Sequence, residues 1–216
     1  MATHTHQEIV LLASASPRRS ELLNQIQVKH HVIQVPAAPG EDEPRLTGES
    51  PLEYVLRTAL DKADRAIKWI MTDEAKRHSG IASLATAGSS QSPIILTADT
   101  TVCIGEDILG KPCDEENAIE ILRSLSGKTH WVHTAVVVSK GSRRAYEIAS
   151  TEVTFDALTT DAIEHYVQTG EPFGKAGAYG IQGLAATFIR RIIGSYSGVM
   201  GLPLFETAQL LKKIRE

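Results

Sequence analysis

The chain has 216 residues, of which 42% are hydrophobic and 22% are charged, and its formal net charge at pH 7 is −4. This is ordinary globular composition, with enough chain to bury a core. The negative charge disfavours a nucleic-acid partner, because proteins that bind the phosphate backbone are usually basic. Two cysteines are too few for a disulfide framework, and no apolar run reaches the ~20 residues that span a bilayer. We therefore expect a cytoplasmic protein without membrane partners.

The first part of the chain predicts two strands separated by a short helix. Residues 8–13 and 29–35 have the apolar character of strands. Between them, residues 16–26 begin with Ser16, a good N-cap, and Pro17, which suits the first helical position. The stretch after the second strand is rich in Pro, Gly and acidic residues and predicts a long loop.

A second, longer helix is predicted after this loop. Ser50, Pro51 and Glu53 form the start of a capping box, and apolar residues recur at helical spacing as far as Ile70. Residues 71–92 are polar, small and rich in Gly and Ser, so we interpret them as a flexible surface insertion. We expect one domain over residues 1–216.

The rest of the chain mixes hairpin-linked strands with helices. Residues 93–98 predict a buried strand that ends at Asp99. The elements expected after it are a hairpin, a helix capped by Asp114, two long strands joined at 140–142, a helix capped by Thr160, a glycine-rich loop, a short strand over 186–192 and a helix from Pro203. The inward face of that last helix is predicted to carry Leu204, Ala208, Leu211 and Ile214. This order predicts an α/β fold, with an elongated mixed sheet flanked by helices.

Two short motifs do not carry function. The GKT at 127–129 has Leu122 where a P-loop needs glycine, and it follows a predicted helix rather than a strand. His130 and His133 lie three apart on a predicted strand, so they point to opposite faces and do not chelate one metal together.

Charged residues cluster at the ends of predicted elements. Arg18 and Arg19 fall in a first helical turn, where the helix dipole disfavours cations and attracts anions. Guanidinium groups at such a terminus suit a polyanion, because backbone N–H groups add to their charge. The full set of such charges is Arg18, Arg19, Lys62, Asp99, Lys111 and Lys175.

Asp99 and Lys111 each have two interpretations. Asp99 follows a buried strand, where open α/β sheets place ligands, but it would equally cap the following turn. Lys111 lies between a glycine and a proline and would equally be a solvated lysine. Taken with the other cations, a carboxylate favours a divalent metal, because Mg²⁺ binds through one or two carboxylates and substrate phosphates.

Five stretches in order resemble the Maf family, the septum-formation-inhibitor-like nucleotide pyrophosphatases. They run from near residue 9 to near residue 205 and are LASASPRRSELL, LTADTTVCIGEDILGKP, LSGKTHWVHTAV, GKAGAYGIQGLAATFI and IIGSYSGVMGLPL. The resemblance implies an inosine-triphosphatase-like fold with two lobes around a central cleft. It also implies hydrolysis of nucleoside triphosphates to monophosphate and pyrophosphate, a divalent metal (Mg²⁺ or Mn²⁺), and often a homodimer.

The resemblance also assigns site residues. It implies that Arg18 and Ser14 bind phosphate, that Lys62 and Lys111 are site lysines, and that Asp99 is the key aspartate. Asp99 would either hold the metal or orient and deprotonate the attacking water.

A metal-binding glutamate of the family has no obvious counterpart. The simplest alignment places alanine at its position in the loop VPAAPGEDEPRL. Glu41, Asp42 and Glu43 are the acidic residues that would replace it after a shift, and we favour Glu41 as the second metal ligand.

The base-side residues resemble one of two family subgroups. Arg18, Thr100 and Gln182 match the subgroup that prefers dTTP, UTP and related pyrimidine nucleotides, whereas the other prefers 7-methyl-GTP. The Gln182 amide offers a donor and an acceptor, which suits a uracil or thymine edge. Two other functions stay open: a nucleotide-binding regulator, for example of cell division, that does not hydrolyse its ligand, and a phosphotransferase.

Overall fold

The computed structural model describes residues 9–36, 43–77, 81 and 92–216. Its strands are β1 (Val10–Ala13), β2 (His30–Ile33), β3 (Ile94–Ile104), β4 (Asp107–Leu109), β5 (Thr129–Lys140), β6 (Arg143–Phe155) and β7 (Ile189–Ile193). Its helices are α1 (Pro17–Gln25), α2 (Pro51–Trp69), α3 (Asp73–Lys76), α4 (Glu115–Leu125), α5 (Thr160–Gln168), α6 (Tyr196–Met200) and α7 (Leu204–Arg215). Two 3₁₀ turns, Ala176–Ala178 and Leu184–Phe188, lie between α5 and β7.

The strands form one mixed sheet of seven, which confirms the predicted α/β class. The order is β2-β1-β3-β5-β6-β7, with β4 paired to β3. β1 runs parallel to both β2 and β3, and every other pairing is antiparallel. The two parallel pairs therefore occupy one half of the sheet and the antiparallel pairs occupy the other.

Helix boundaries follow the capping residues. Ser50 and Glu53 form the predicted capping box at the start of α2. The Asp114 carboxylate accepts a hydrogen bond from the backbone N–H of Asn117 at the start of α4. Each of these bonds satisfies a first-turn N–H that has no partner inside the helix. These two starts were predicted correctly.

The two faces of the sheet are covered differently. α2 covers one face, where Val55, Ala59 and Ala63 pack on Ala135 and Val137 of β5. The opposite face carries two apolar clusters, one built on α1 and α7 and the other on α4, α5 and the segment before β7. Met200, at the end of α6, packs against both clusters. A cleft opens between them.

Asp99 lies in the middle of β3, so the prediction that the strand ends there is wrong. β5 pairs continuously with β3 from Ile94 to Cys103, which carries the strand past the carboxylate. On the other edge of β3, β1 pairs only with residues 94–96 and β4 only with residues 102–104. Among the described strands, none pairs with residues 97–101 on that edge. We call residues 97–101 the open interval of β3. Asp99 is at its centre rather than at a strand end.

Four smaller predictions need correction. Thr160 was expected to cap a helix, but it is the first residue of α5, and the cap is the Thr159 hydroxyl, which accepts from the N–H of Ala162. α3 begins within the expected surface insertion, because the Thr72 hydroxyl caps it by accepting from the N–H of Ala75. The remainder of the 71–92 prediction falls largely outside the described residues. The short strand predicted over 186–192 is β7, which begins only at Ile189 because a 3₁₀ turn takes up the residues as far as Phe188. In α7, Ala208 was expected to face the core but is exposed, and Thr207 and Leu210 are buried instead.

No helix in the described ranges combines the length and the apolar character needed to span a membrane.

Candidate active site

The open interval of β3 borders a cavity of about 560 Å³. The N-terminus of α1, the residues after β4, the loop after α5 and the end of α6 enclose it. Its wall includes all six charged residues of the predicted set and one further predicted residue, Thr100; the charged residues are Arg18, Arg19, Lys62, Asp99, Lys111 and Lys175. Side chains from distant parts of the sequence therefore meet at one place in the fold.

Asp99 is held by two side chains of α2. Its Oδ2 accepts a hydrogen bond from the Thr58 hydroxyl at 2.8 Å, and its Oδ1 accepts one from the Lys62 ammonium at 2.5 Å. Thr58 and Lys62 are four residues apart, so they lie on the same face of the helix. With 9% of its surface exposed, Asp99 is a fixed carboxylate that borders the cavity.

Glu43 supplies a second carboxylate to the same lysine. Its Oε2 lies 3.2 Å from the Lys62 ammonium, and its Oε1 lies 3.6 Å from the Arg65 guanidinium. The Tyr54 hydroxyl donates to the Glu43 carbonyl at 3.1 Å and so fixes the backbone there. The favoured metal ligand, Glu41, lies outside the described residues, as does Asp42.

The donor set fits a divalent metal with few protein ligands. Asp99 and Glu43 both contact the Lys62 ammonium, so one oxygen of each carboxylate lies close to the same positive charge. No group of three or more His, Cys, Asp or Glu suited to a metal occurs in the part of the chain that the structure describes. Mg²⁺ requires only one or two carboxylates when substrate phosphates complete its coordination, so this set is sufficient.

The two adjacent arginines have different roles. The Arg19 guanidinium donates to the carbonyl of Gly201 at 2.8 Å, to the Ser14 hydroxyl at 3.1 Å and to the Thr100 hydroxyl at 3.3 Å. Burial lowers its pKa from the ordinary value, although Asp99 acts in the opposite direction. Arg18 lines the cavity and has no hydrogen-bond or ion-pair partner within the described ranges. Arg19 thus joins three elements together, while Arg18 presents its charge to the cavity.

Two lysines face the cavity beside Arg18. Lys111 has no polar partner among the described residues. Lys175 donates from its ammonium to the carbonyl of Glu171. Burial lowers the pKa of Lys175, and the nearby Arg18 charge lowers it further. This wall concentrates positive charge beside the first turn of α1, where the Ser16 side chain makes no capping bond.

The remaining predicted residues divide between the cavity and the surface. Thr100 lines the cavity, and its hydroxyl contacts both Arg19 and Thr134. Ser14 bonds to Arg19 and to the backbone N–H of Ser16, so it organises the start of α1. Gln182 is exposed and is not among the residues that line the cavity.

The apolar part of the wall was not predicted from the sequence; it includes Phe173, Tyr179 and Met200. The Tyr179 hydroxyl is 2.8 Å from Nε2 of His130, a fully buried histidine whose pKa burial lowers to about 4. His130 is therefore neutral at pH 7 and braces Tyr179. The glycine-rich loop was the available signal, but it does not reveal which of its residues turn inward.

Comparisons with known proteins identify the family of the chain. The family described as "Maf-like protein" matches residues 9–214. A protein of Bordetella avium (strain 197N) named dTTP/UTP pyrophosphatase is 50% identical over 202 residues, which are 94% of this chain and 93% of the relative. Proteins of the same name are 49% identical in Cupriavidus metallidurans (95% and 96% covered) and 45% identical in Xanthomonas campestris pv. campestris (94% and 97% covered). On this match the chain belongs to the Maf family.

Proposed function

We propose that the protein hydrolyses dTTP, UTP and related pyrimidine nucleoside triphosphates to the monophosphate and pyrophosphate. The observation that carries the proposal is the cavity itself, in which a carboxylate on the sheet faces Arg18 and Lys111, two cations that have no acidic partner among the described residues. The names of the relatives support the same activity and substrates.

The cations bind the phosphates. Arg18 and Lys111 have no partners within the described ranges, so they are available to phosphate oxygens without first breaking an ion pair. The first-turn N–H groups of α1 add to their attraction. Together these groups offset the charge that develops on the pyrophosphate leaving group, which is the main task in phosphoryl-transfer chemistry.

Asp99 holds the attacking water. The water oxygen bonds to the α-phosphorus, the bond from that phosphorus to the bridging oxygen breaks, and pyrophosphate leaves with the electron pair. Asp99 takes the proton of the water, while Thr58 keeps the carboxylate oriented through its hydrogen bond to Oδ2. Asp99 and Glu43 would hold Mg²⁺ or Mn²⁺, which supplies positive charge to the phosphates when it is bound.

A product assay tests the function. The purified protein is incubated with Mg²⁺ and UTP, dTTP, CTP, GTP, 7-methyl-GTP or ATP, and the products are resolved. We expect UMP or dTMP with pyrophosphate, and we expect chelation of the metal to stop the reaction. Binding without turnover would support the regulator instead, and transfer of phosphate to an acceptor without pyrophosphate would support a phosphotransferase. Cleavage confined to 7-methyl-GTP would contradict the assignment of the base.

We also propose, on the family resemblance, that the protein acts as a homodimer in the cytoplasm. Light scattering on the purified protein measures the mass directly, and a monomer at working concentration would contradict the first part.

A further inference from the structure

Glu171 is a charged residue that the proposed chemistry does not use, yet it makes many contacts. Its Oε1 accepts hydrogen bonds from the Tyr166 hydroxyl at 2.9 Å and from the N–H of Ala185 at 3.3 Å. Its Oε2 accepts from the N–H of Leu184 at 2.9 Å. Three donors from α5 and from the chain after Gln182 therefore converge on one carboxylate.

Two glycines let the chain lie directly against this residue. A Cβ at Gly183 would overlap the carboxylate of Glu171. A Cβ at Gly180 would lie 3.1 Å from Cε of Lys175 and 3.5 Å from Oε1 of Glu171. The N–H of Gly180 also donates to the Tyr166 hydroxyl at 3.3 Å, so the carboxylate holds Gly180 through that tyrosine. Residues 180–185 are thus laid over Glu171 on both sides of Gln182.

The backbone of the same residue holds a cation of the cavity. The carbonyl of Glu171 accepts a hydrogen bond from the ammonium of Lys175, and Lys175 lines the cavity near Arg18. The side chain of Glu171 fixes the chain next to Gln182, and its carbonyl fixes Lys175. One residue therefore links the phosphate-binding wall to the segment predicted to contact the base.

We propose that Glu171 is a positioning residue for substrate selection, which sets Lys175 and Gln182 at a fixed separation so that one nucleotide contacts both. The proposal rests on the proposed function. A carboxylate suits this task because it only accepts hydrogen bonds, and all three of its partners are donors. A glutamine would turn an N–H toward at least one donor, leaving that bond unmade.

The test compares Glu171→Gln with Glu164→Gln. Glu164 is exposed on α5, so its replacement removes the same charge without touching the loop. For both variants and the parent, kcat and KM are measured with UTP and with CTP, which differ at the base edge. The ratio of the two kcat/KM values does not depend on how much of a sample is folded, so a loss of stability alone does not change it.

In Glu171→Gln we expect the UTP-to-CTP ratio to fall about tenfold and KM for UTP to rise about tenfold, the scale of one lost charge-assisted hydrogen bond. In Glu164→Gln both values stay at the parent level. If Glu171→Gln does not fold, Tyr166→Phe removes one of the three donors, and we expect about a threefold fall in the same ratio.

This proposal alone would be overturned if the parent turns over UTP and Glu171→Gln keeps the parent's UTP-to-CTP ratio and its KM for UTP. The same outcome in Tyr166→Phe would overturn it where that variant replaces Glu171→Gln. Absence of pyrophosphate release by the parent from every nucleotide would overturn the proposed function, and this proposal with it.

Discussion

The two walls of the cavity differ in whether their charged side chains are paired with opposite charges. On the α2 side, Lys62 is shared between Asp99 and Glu43, so positive and negative groups neutralise one another. On the other side, Arg18 and Lys111 have no acidic partner among the described residues, and burial beside Arg18 lowers the pKa of Lys175. Like charges brought together raise the energy of the free protein, and a polyanion relieves this repulsion. The paired wall is therefore suited to chemistry at one atom, and the unpaired wall to binding a chain of phosphates.

The largest effect is expected on the paired wall. Asp99→Asn keeps the shape of the side chain but removes the proton acceptor and leaves Lys62 with one carboxylate fewer. We expect kcat with UTP to fall by at least ~100-fold. Steady-state pyrophosphate release measures this fall, with Asp64→Asn, a surface position on α2, as the control. Near-normal turnover in Asp99→Asn would remove Asp99 from the mechanism.

The next effect separates the two arginines. Arg18→Met should raise KM for UTP about tenfold, because it removes one charge-assisted contact with phosphate, and should leave the melting temperature unchanged. Arg19→Met should instead destabilise the fold by about 1–3 kcal/mol, because the carbonyl of Gly201 loses its guanidinium donor. Substrate kinetics and thermal melts on both variants check this. The same loss of stability in both would contradict the division of roles.

A change of base preference is expected from Gln182→Glu. A carboxylate has no N–H to donate to the carbonyls of uracil, so we expect kcat/KM for UTP to fall about tenfold. Because Gln182 is exposed, the melting curve should not move. A parallel series with dTTP and GTP shows whether the loss is specific to pyrimidines. An equal loss on all nucleotides would count against a base contact.

The smallest effect concerns the segment that carries Glu43 to the site. Glu49 is buried, and its carboxylate accepts hydrogen bonds from Nε and from a terminal nitrogen of Arg57. Arg57 also donates to the carbonyl of Pro44. The hydrogen bond from Arg57 lowers the pKa of Glu49 below its ordinary value of 4.5. Its contribution to stability is therefore present above pH 4.5 and is lost as the pH falls through that value toward the folded-state pKa.

Urea titrations from pH 7 to pH 3 test this contribution. Glu49→Gln should be less stable than the parent at neutral pH, and the gap between the two should narrow below about pH 4.5. A constant gap across the range would show that the carboxylate does not act through its charge.

Local rules predicted most elements, because their causes lie within a few residues of each other. The capping box at Ser50 and the cap at Asp114 are short-range hydrogen bonds, and both helices begin where these bonds form. The extent of β3 was not predictable in this way. Its continuation beyond Ala98 depends on pairing with β5, more than thirty residues later in the chain.

The site shows the same limit. The motif places Arg18 and Arg19 side by side. Which arginine is tied to the protein depends largely on distant acceptors, the carbonyl of Gly201, 182 residues after Arg19, and the hydroxyl of Thr100. Likewise Glu43 contacts Lys62 because Arg57 of α2 holds the neighbouring loop by donating to the carbonyl of Pro44. The sequence alone does not predict this contact between the loop and the helix. Charge types were predictable from the sequence, whereas their pairing was not.

The uninterrupted ladder between β3 and β5 has a consequence for how this enzyme family diversifies. Asp99 is built into the sheet, so changing its position would require a shift of many strand pairs at once. Lys111, Lys175 and Gln182 lie outside the strands, on connecting segments that tolerate replacement. In the proposed mechanism, replacements in those connections would change the nucleotide that is recognised, while the carboxylate that takes the proton of the water would keep its place in the sheet.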